Sequence, residues 1–312
     1  MGREPDYLAF MRRVAAAQPP SRGLSIAAIR RRHADALAQV PRPHVAHVRD
    51  LTVDGPAGPL RARLYRPATN GSANGSGKDA GPALVYFHGG GWVMGDVEAY
   101  DPVVRALTAA AQVAFVSVDY RRPPEDPYPA AVDDGAAAVR WVAAHAPALG
   151  VDPARIGVGG DSAGGQIAAA TALRLRGSFP LALQLLVYPA LDLRGVPPMP
   201  PDPDGLRFSE GGTERVLELY LGDTDRTLPE VSPLLAPALE GLPPAVIATA
   251  EYDRLRPQGE AYARRLADAG VRADLYGGDG LDHGYLGWGS FARRPAEAIR
   301  DIGALVRAAL PA

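Results

Sequence analysis

Gly160-Asp161-Ser162-Ala163-Gly164 follows a short apolar run at 155–159 and opens an alanine-rich stretch of helical character. A serine framed by glycines between a strand and a helix marks a sharp turn that lifts its hydroxyl clear of the backbone. The glycines are needed because a side chain there would meet the neighbouring strand or helix. A helix starting at such a turn aims unpaired N–H groups and the positive end of its dipole at any anion forming beside it. The stretch predicts a serine nucleophile at the end of a strand.

Working outward, the same rhythm repeats. Apolar runs recur at 83–87, 113–118, 183–188, 245–250 and 273–276, and helical segments lie between them at 100–111, 130–145, 164–176 and 257–269. Strands spaced by helices predict βαβ units and a parallel sheet buried on both faces. A hairpin over 47–53 and 60–66, turning at Gly55-Pro56, brings the count to about eight strands, an α/β architecture. Two amphipathic helices precede it at 4–17 and 25–39. In the second, Ser25 is the expected N-cap, and Ile26, Ile29 and Leu37 share a face. Residues 70–81, rich in Gly, Ser and Asn, read as a surface loop. Residues 192–238 break the rhythm with many prolines, one helix near 213–221 and no strong strand. The expected division is amino-terminal cap helices over 1–45, a catalytic core over 46–191 and 239–312, and a cap insertion over 192–238.

The chain has 312 residues, 47% of them hydrophobic, enough for one large core. A net charge of −2 gives no footprint for nucleic acid or an acidic membrane surface. Basic residues are almost all arginine, with Lys78 the only lysine. The absence of cysteine excludes disulfides, thiolate catalysis and cysteine-bound metal. The amino-terminal stretch carries Arg3, Glu4, Asp6, Arg12 and Arg13 and does not read as a signal peptide. No run approaches the roughly 20 apolar residues of a membrane helix. The expectation is a soluble cytoplasmic protein.

A serine hydroxyl needs a neighbouring base to act as a nucleophile at neutral pH. Of the six histidines, only His283 follows the serine, in a loop beyond the last expected strand. The base in turn needs a carboxylate to hold its tautomer and stabilise the imidazolium. Asp253, directly after the strand at 245–250, is the candidate; Glu251, Asp279 and Asp282 compete with it. The oxyanion of a tetrahedral intermediate needs preorganised N–H donors. Two amides from Gly89, Gly90 and Gly91, with that of Ala163, supply them, while His88 pins the loop. Trp92 and Tyr188 are expected to line the substrate pocket.

Taken together these motifs carry a resemblance. His88-Gly-Gly-Gly-Trp92 with Gly95-Asp96, the stretch Asp119-Tyr120-Arg121 to Asp133-Asp134, Gly160 to Gly165, Ser232-Pro233-Leu234, Asp253 with Leu255, and His283-Gly284-Tyr285 resemble the hormone-sensitive-lipase-like family of α/β-hydrolases, the bacterial family IV esterases. The likeness runs in order from about residue 45 to the carboxyl end. It implies the α/β-hydrolase fold with a helical cap, and a nucleophile, acid and base at Ser162, Asp253 and His283. It implies hydrolysis of short- to medium-chain acyl esters through an acyl-enzyme, with a small-molecule ester as partner and neither cofactor nor metal. Amidase, thioesterase or deacetylase chemistry would use the same machinery, and a ligand-binding homologue without catalysis would show a broken triad. Some relatives pair through the last strand, so a homodimer through 273–276 is a further expectation. Gln166, where the family often has asparagine, and Arg122-Pro123 depart from the pattern.

Overall fold

In the computed structural model, which describes residues 2–17, 23–68, 80–206 and 213–310, alternate side chains of one strand show the layering. Strand β3 (Gly81–Phe87) sends Ala83, Val85 and Phe87 into one core and Leu84 and Tyr86 into the other. Successive side chains on a strand point to opposite faces, so a strand apolar on both faces belongs in the middle of a sheet covered on both sides. The loop expected at 70–81 lies outside the described residues except at its last two positions.

The remaining strands are β1 (His47–Gly55), β2 (Gly58–Arg66), β4 (Ala114–Val118), β5 (Val151–Asp161), β6 (Gln184–Val187), β7 (Ala245–Ala248) and β8 (Ala273–Tyr276). They form one eight-stranded sheet in the order β1-β2-β4-β3-β5-β6-β7-β8. The β1–β2 hairpin is antiparallel and joins β4 antiparallel; every other pairing is parallel. The carboxyl ends of β3, β5, β6, β7 and β8 therefore share one edge, where ligands bind in open α/β sheets.

Helices cover the two faces. On one lie α4 (Ala130–Ala144), α6 (Ala163–Leu175) and α8 (Arg256–Asp268), whose Val139, Ile167 and Tyr262 join the core of Val85 and Phe87. On the other lie α3 (Asp101–Ala111) and α9 (Arg293–Ala309), with Leu107 and Ile302 packed beneath Leu84 and Tyr86. No element is expected from the sequence over α9, although Ile299, Ile302 and Val306 fall on one helical face and are buried. The single turn α5 (Ala146–Leu149) is likewise not marked by the sequence pattern.

Helices α2 (Ile26–Ala38) and α7 (Thr213–Leu221) contribute Ile26, Ile29, Val216 and Leu217 to the cavity at the ligand edge, while α1 (Pro5–Ala17) packs against α9. Ser25 caps α2 as expected, its hydroxyl accepting from the Ala28 N–H. Helix α1 buries Tyr7 and Met11, and α7 buries Leu217, Tyr220 and Leu221 against the α6 side of the core. At the far edge β8 has no strand partner on its outer side among the described residues, and Leu275 is 46% exposed.

Candidate active site

The turn after β5 fixes Ser162. Its backbone is held at φ 54°, ψ −116°, a conformation that non-glycine residues rarely occupy, and that strain is sustained by its surroundings. The Ser162 N–H donates to the Val187 carbonyl at 2.9 Å, and the Ser162 carbonyl accepts from Ala190 at 3.2 Å. The glycine frame follows from crowding. A Cβ on Gly164 would lie 1.9 Å from the Phe87 carbonyl oxygen, and one on Gly160 would lie 2.2 Å from the Gly164 carbonyl oxygen. Only bare backbone lets α6 start this close to β3.

The loops after β7 and β8 bring the partners. His283 Nε2 lies 2.9 Å from Ser162 Oγ, and His283 Nδ1 lies 2.7 Å from Asp253 Oδ2. Asp253 is 3% exposed, and its other oxygen accepts from the Leu255 N–H at 2.9 Å. Of the competing carboxylates, Glu251 accepts from the Gly280 N–H at 2.6 Å and Asp282 is bound to Arg3, so Asp253 is the one that meets His283. Burial alone would lower the His283 pKa. The charge and hydrogen bond of Asp253, with Asp161 behind it, outweigh burial and hold the imidazole above its ordinary value of 6.5.

The glycine loop divides its amides. The Gly89 N–H donates to Asp161 Oδ1 at 2.9 Å, so it is spent inside the protein rather than offered to an oxyanion. Of the two glycine amides expected from this run, Gly90 and Gly91 are then the candidates. Gly90 and Gly91, at φ +112° and +58°, and Ala163 have no partner for their N–H among the described residues. His88 is fully buried, stacked at 4.3 Å on Tyr120, and burial pushes its pKa down to about 3. It is a neutral pin for the loop. Arg122, one of the departures from the family pattern, braces the same loop by donating to the Gly95 carbonyl.

Asp161 is the residue whose role the sequence did not disclose. It is 3% exposed and receives the Tyr86 hydroxyl at 2.8 Å and the Gly89 amide, with the hydroxyls of Tyr100 and Tyr188 each at 3.5 Å. Burial raises its pKa to about 6 against those hydrogen bonds and the nearby His283, which pull it down. A carboxylate inside an otherwise glycine–alanine turn was the available signal.

A cavity of about 1010 Å³ opens over Ser162 and His283, at the upper end of the size range of small-molecule sites. Its walls include Ile26, Trp92, Leu193, Val216 and Trp288. Trp92 reaches this cavity. Tyr188 does not: it is 2% exposed and packs behind His283, ring centroids 4.8 Å apart. Its φ of +36° belongs to the turn after β6 that receives the serine loop. Gln166 holds Trp92 in place. Its Oε1 accepts from Trp92 Nε1 at 2.9 Å and from the Tyr220 hydroxyl at 3.2 Å, while its Nε2 donates to the Glu230 carbonyl at 2.7 Å. Trp92 also stacks on Tyr220 at 4.7 Å. A longer amide than asparagine spans from the nucleophile helix to the 192–238 segment.

A serine, histidine and aspartate in hydrogen-bonded series, beside free amides at a helix start, are the parts of a covalent hydrolytic site on an α/β scaffold. The comparisons agree: an α/β hydrolase fold family model matches residues 84–287, and the chain belongs to this family, in its hormone-sensitive-lipase-like branch. The chain is 41% identical to "Esterase LipI" of Mycobacterium tuberculosis over 278 residues, covering 88% of this chain and 85% of that one. It is 44% identical to "Carboxylesterase NlhH" of the same organism over 240 residues, covering 74% and 75%. Among solved structures, a hyperthermophilic esterase from Pyrobaculum calidifontis superposes with a TM-score of 0.87 at 35% identity, over 99% of both chains.

Proposed function

We propose that this protein is a serine carboxylesterase acting on small acyl esters. The observation that carries the reading is the unbroken series Ser162–His283–Asp253, with bonds of 2.9 and 2.7 Å, facing a largely apolar cavity. The esterase names of its relatives support it. His283 Nε2 takes the Ser162 proton as Oγ attacks the ester carbonyl. The oxyanion is received by the N–H groups of Gly90, Gly91 and Ala163. His283 then gives the proton to the leaving alkoxide, and an acyl-enzyme remains. A water molecule, deprotonated by the same histidine, releases the acid and restores Ser162.

The amino-terminal helices of 1–45 and the segment 192–238 act as a cap over the core of 46–191 and 239–312. Their apolar contributions to the cavity wall, from Ile26, Leu193 and Val216, favour acyl or alcohol groups of short to medium length over charged ones. Among the described residues no helix is long and apolar enough to cross a membrane.

Ser162→Ala is expected to abolish p-nitrophenyl butyrate hydrolysis with its thermal transition preserved. The parent is expected to be labelled at Ser162 by a fluorophosphonate. Turnover retained in the variant, or a parent that resists labelling, would overturn the reading.

A further inference from the structure

We propose that Arg3 is a positioning residue for the Asp253–His283 pair, acting through Asp282; the proposal rests on the triad reading above. The Arg3 side chain has no solvent exposure. A guanidinium carries five N–H donors in a fixed planar fork, and the bonds Arg3 makes engage all three of its nitrogens. Nε and Nη2 reach the two oxygens of Asp282 at 2.8 and 2.6 Å. Nη1 and Nη2 reach the two oxygens of Asp202 at 2.8 and 2.9 Å, and Nη1 also reaches Asp204 at 2.8 Å. The guanidinium carbon lies 3.8 Å from the centre of the Tyr252 ring.

Two of these contacts fall beside the reacting groups. Asp282 immediately precedes His283, and Tyr252 immediately precedes Asp253. Tyr252 and Asp282 face one another across an isolated parallel bridge, in which the Tyr252 N–H donates to the Leu281 carbonyl at 2.9 Å. Acid and base therefore emerge one residue beyond the same short junction. Arg3 closes that junction from behind, forked onto one side and laid flat over the other. The Asp282 N–H is held as well, donating to the Tyr7 hydroxyl of α1 at 3.2 Å.

The His283 side chain is 39% exposed on its cavity side, so its aim depends on Asp253, on the Tyr188 ring and on the backbone at 282. A misplacement of about 1 Å at a catalytic group costs on the order of a hundredfold in rate. Asp202 and Asp204 hold the opposite side of the fork and belong to the 192–238 segment, so the same guanidinium joins that segment to the catalytic loops.

The test measures kcat and KM for p-nitrophenyl acetate in the full chain, with sites counted by fluorophosphonate titration. The variants are Arg3→Met, Arg3→Lys and the double variant Asp202→Asn/Asp204→Asn. Arg3→Met is expected to lower kcat per titrated site by about tenfold to a hundredfold, with KM within about twofold of the parent. Arg3→Lys keeps the charge but loses the fork, and is expected to fall between the two. The double variant keeps the Arg3–Asp282 fork and is expected to lose thermal stability while kcat stays within about twofold of the parent.

A merely structural Arg3 would lower the melting temperature and leave kcat per titrated site unchanged, which would overturn the proposal. An equal kcat loss in the double variant would overturn it too, by placing the effect in the 192–238 segment. Should Arg3→Met fail to fold, Arg3→Lys decides: a lowered kcat supports the role, and the parent value removes it. Failure of the triad reading is separate, because the parent itself would then not titrate.

Discussion

Asp253→Asn removes one charge from the site and almost no volume. Asp253 uses its two oxygens differently: one accepts from the Leu255 N–H at 2.9 Å, the other meets His283 Nδ1 at 2.7 Å. An asparagine amide must choose. Keeping its oxygen on Leu255 points its NH2 at Nδ1, so the ring must carry its proton on Nε2, where it cannot accept one from Ser162. The opposite orientation sets the NH2 against the Leu255 N–H, at a cost of about 1–3 kcal/mol for the unsatisfied donors. In either orientation the imidazolium formed during attack loses its counter-charge, worth about 4 kcal/mol at 4 Å and an effective dielectric of 20. Together these predict a loss of about 5 kcal/mol, or between three and four powers of ten in kcat. Charge relaxation on the exposed side of the ring trims the figure but does not reverse it. The assay is kcat and kcat/KM for p-nitrophenyl butyrate between pH 5 and 9, with thermal melting to show that the fold is kept. With Asp253 neutral, the main influence raising the His283 pKa is gone, so the residual activity should extend to lower pH. A variant within about tenfold of the parent would refute the assignment of Asp253 as the orienting acid.

Two further outcomes follow from the same geometry. His283 must be neutral to accept the Ser162 proton, and its pKa is raised, with Asp253 and Asp161 favouring the charged ring while burial and Arg254 oppose it. The parent kcat/KM is therefore expected to fall as pH drops, with an acid midpoint above 6.5; a midpoint below that value would contradict the raised pKa. We propose that two copies pair through the edge strand β8, where Leu275 is 46% exposed; a light-scattering mass of two chains would support this, and a mass of one chain would remove the dimer.

Local chemistry was the legible part of this molecule. The turn at Gly160–Gly164 announces itself because crowding of 1.9 Å against Phe87 leaves no alternative to glycine, and that constraint is written in adjacent residues. The strands at β3, β4 and β6 were equally plain, since burial on both faces demands a largely apolar run, interrupted here only by Ser117 in β4 and Gln184 at the start of β6. The helical spacing of α9 was also present in the sequence, but it follows the last motif, where no chemistry draws attention to it. What adjacency does not encode is which of several equivalent groups is used. Gly89, Gly90 and Gly91 are alike until Asp161, 72 residues away, takes one amide. An aromatic after a strand reads the same whether it lines a pocket, like Trp92, or props a histidine, like Tyr188.

The residues that choose among equivalent groups share one trait: they are polar, buried and bonded across long stretches of chain. Asp161 commits the glycine loop, Gln166 commits Trp92 to the nucleophile helix and to Tyr220, and Arg3 reaches Asp282 across 279 residues. Each such group must satisfy several partners at once, because a buried polar atom left unpaired costs about 1–3 kcal/mol. A glycine frame alone would let the serine, its base and the donors drift independently. Three saturated polar hubs, at Asp161, Gln166 and Arg3, restrict that freedom before any substrate arrives, which is the preorganisation that stabilisation of an oxyanion requires.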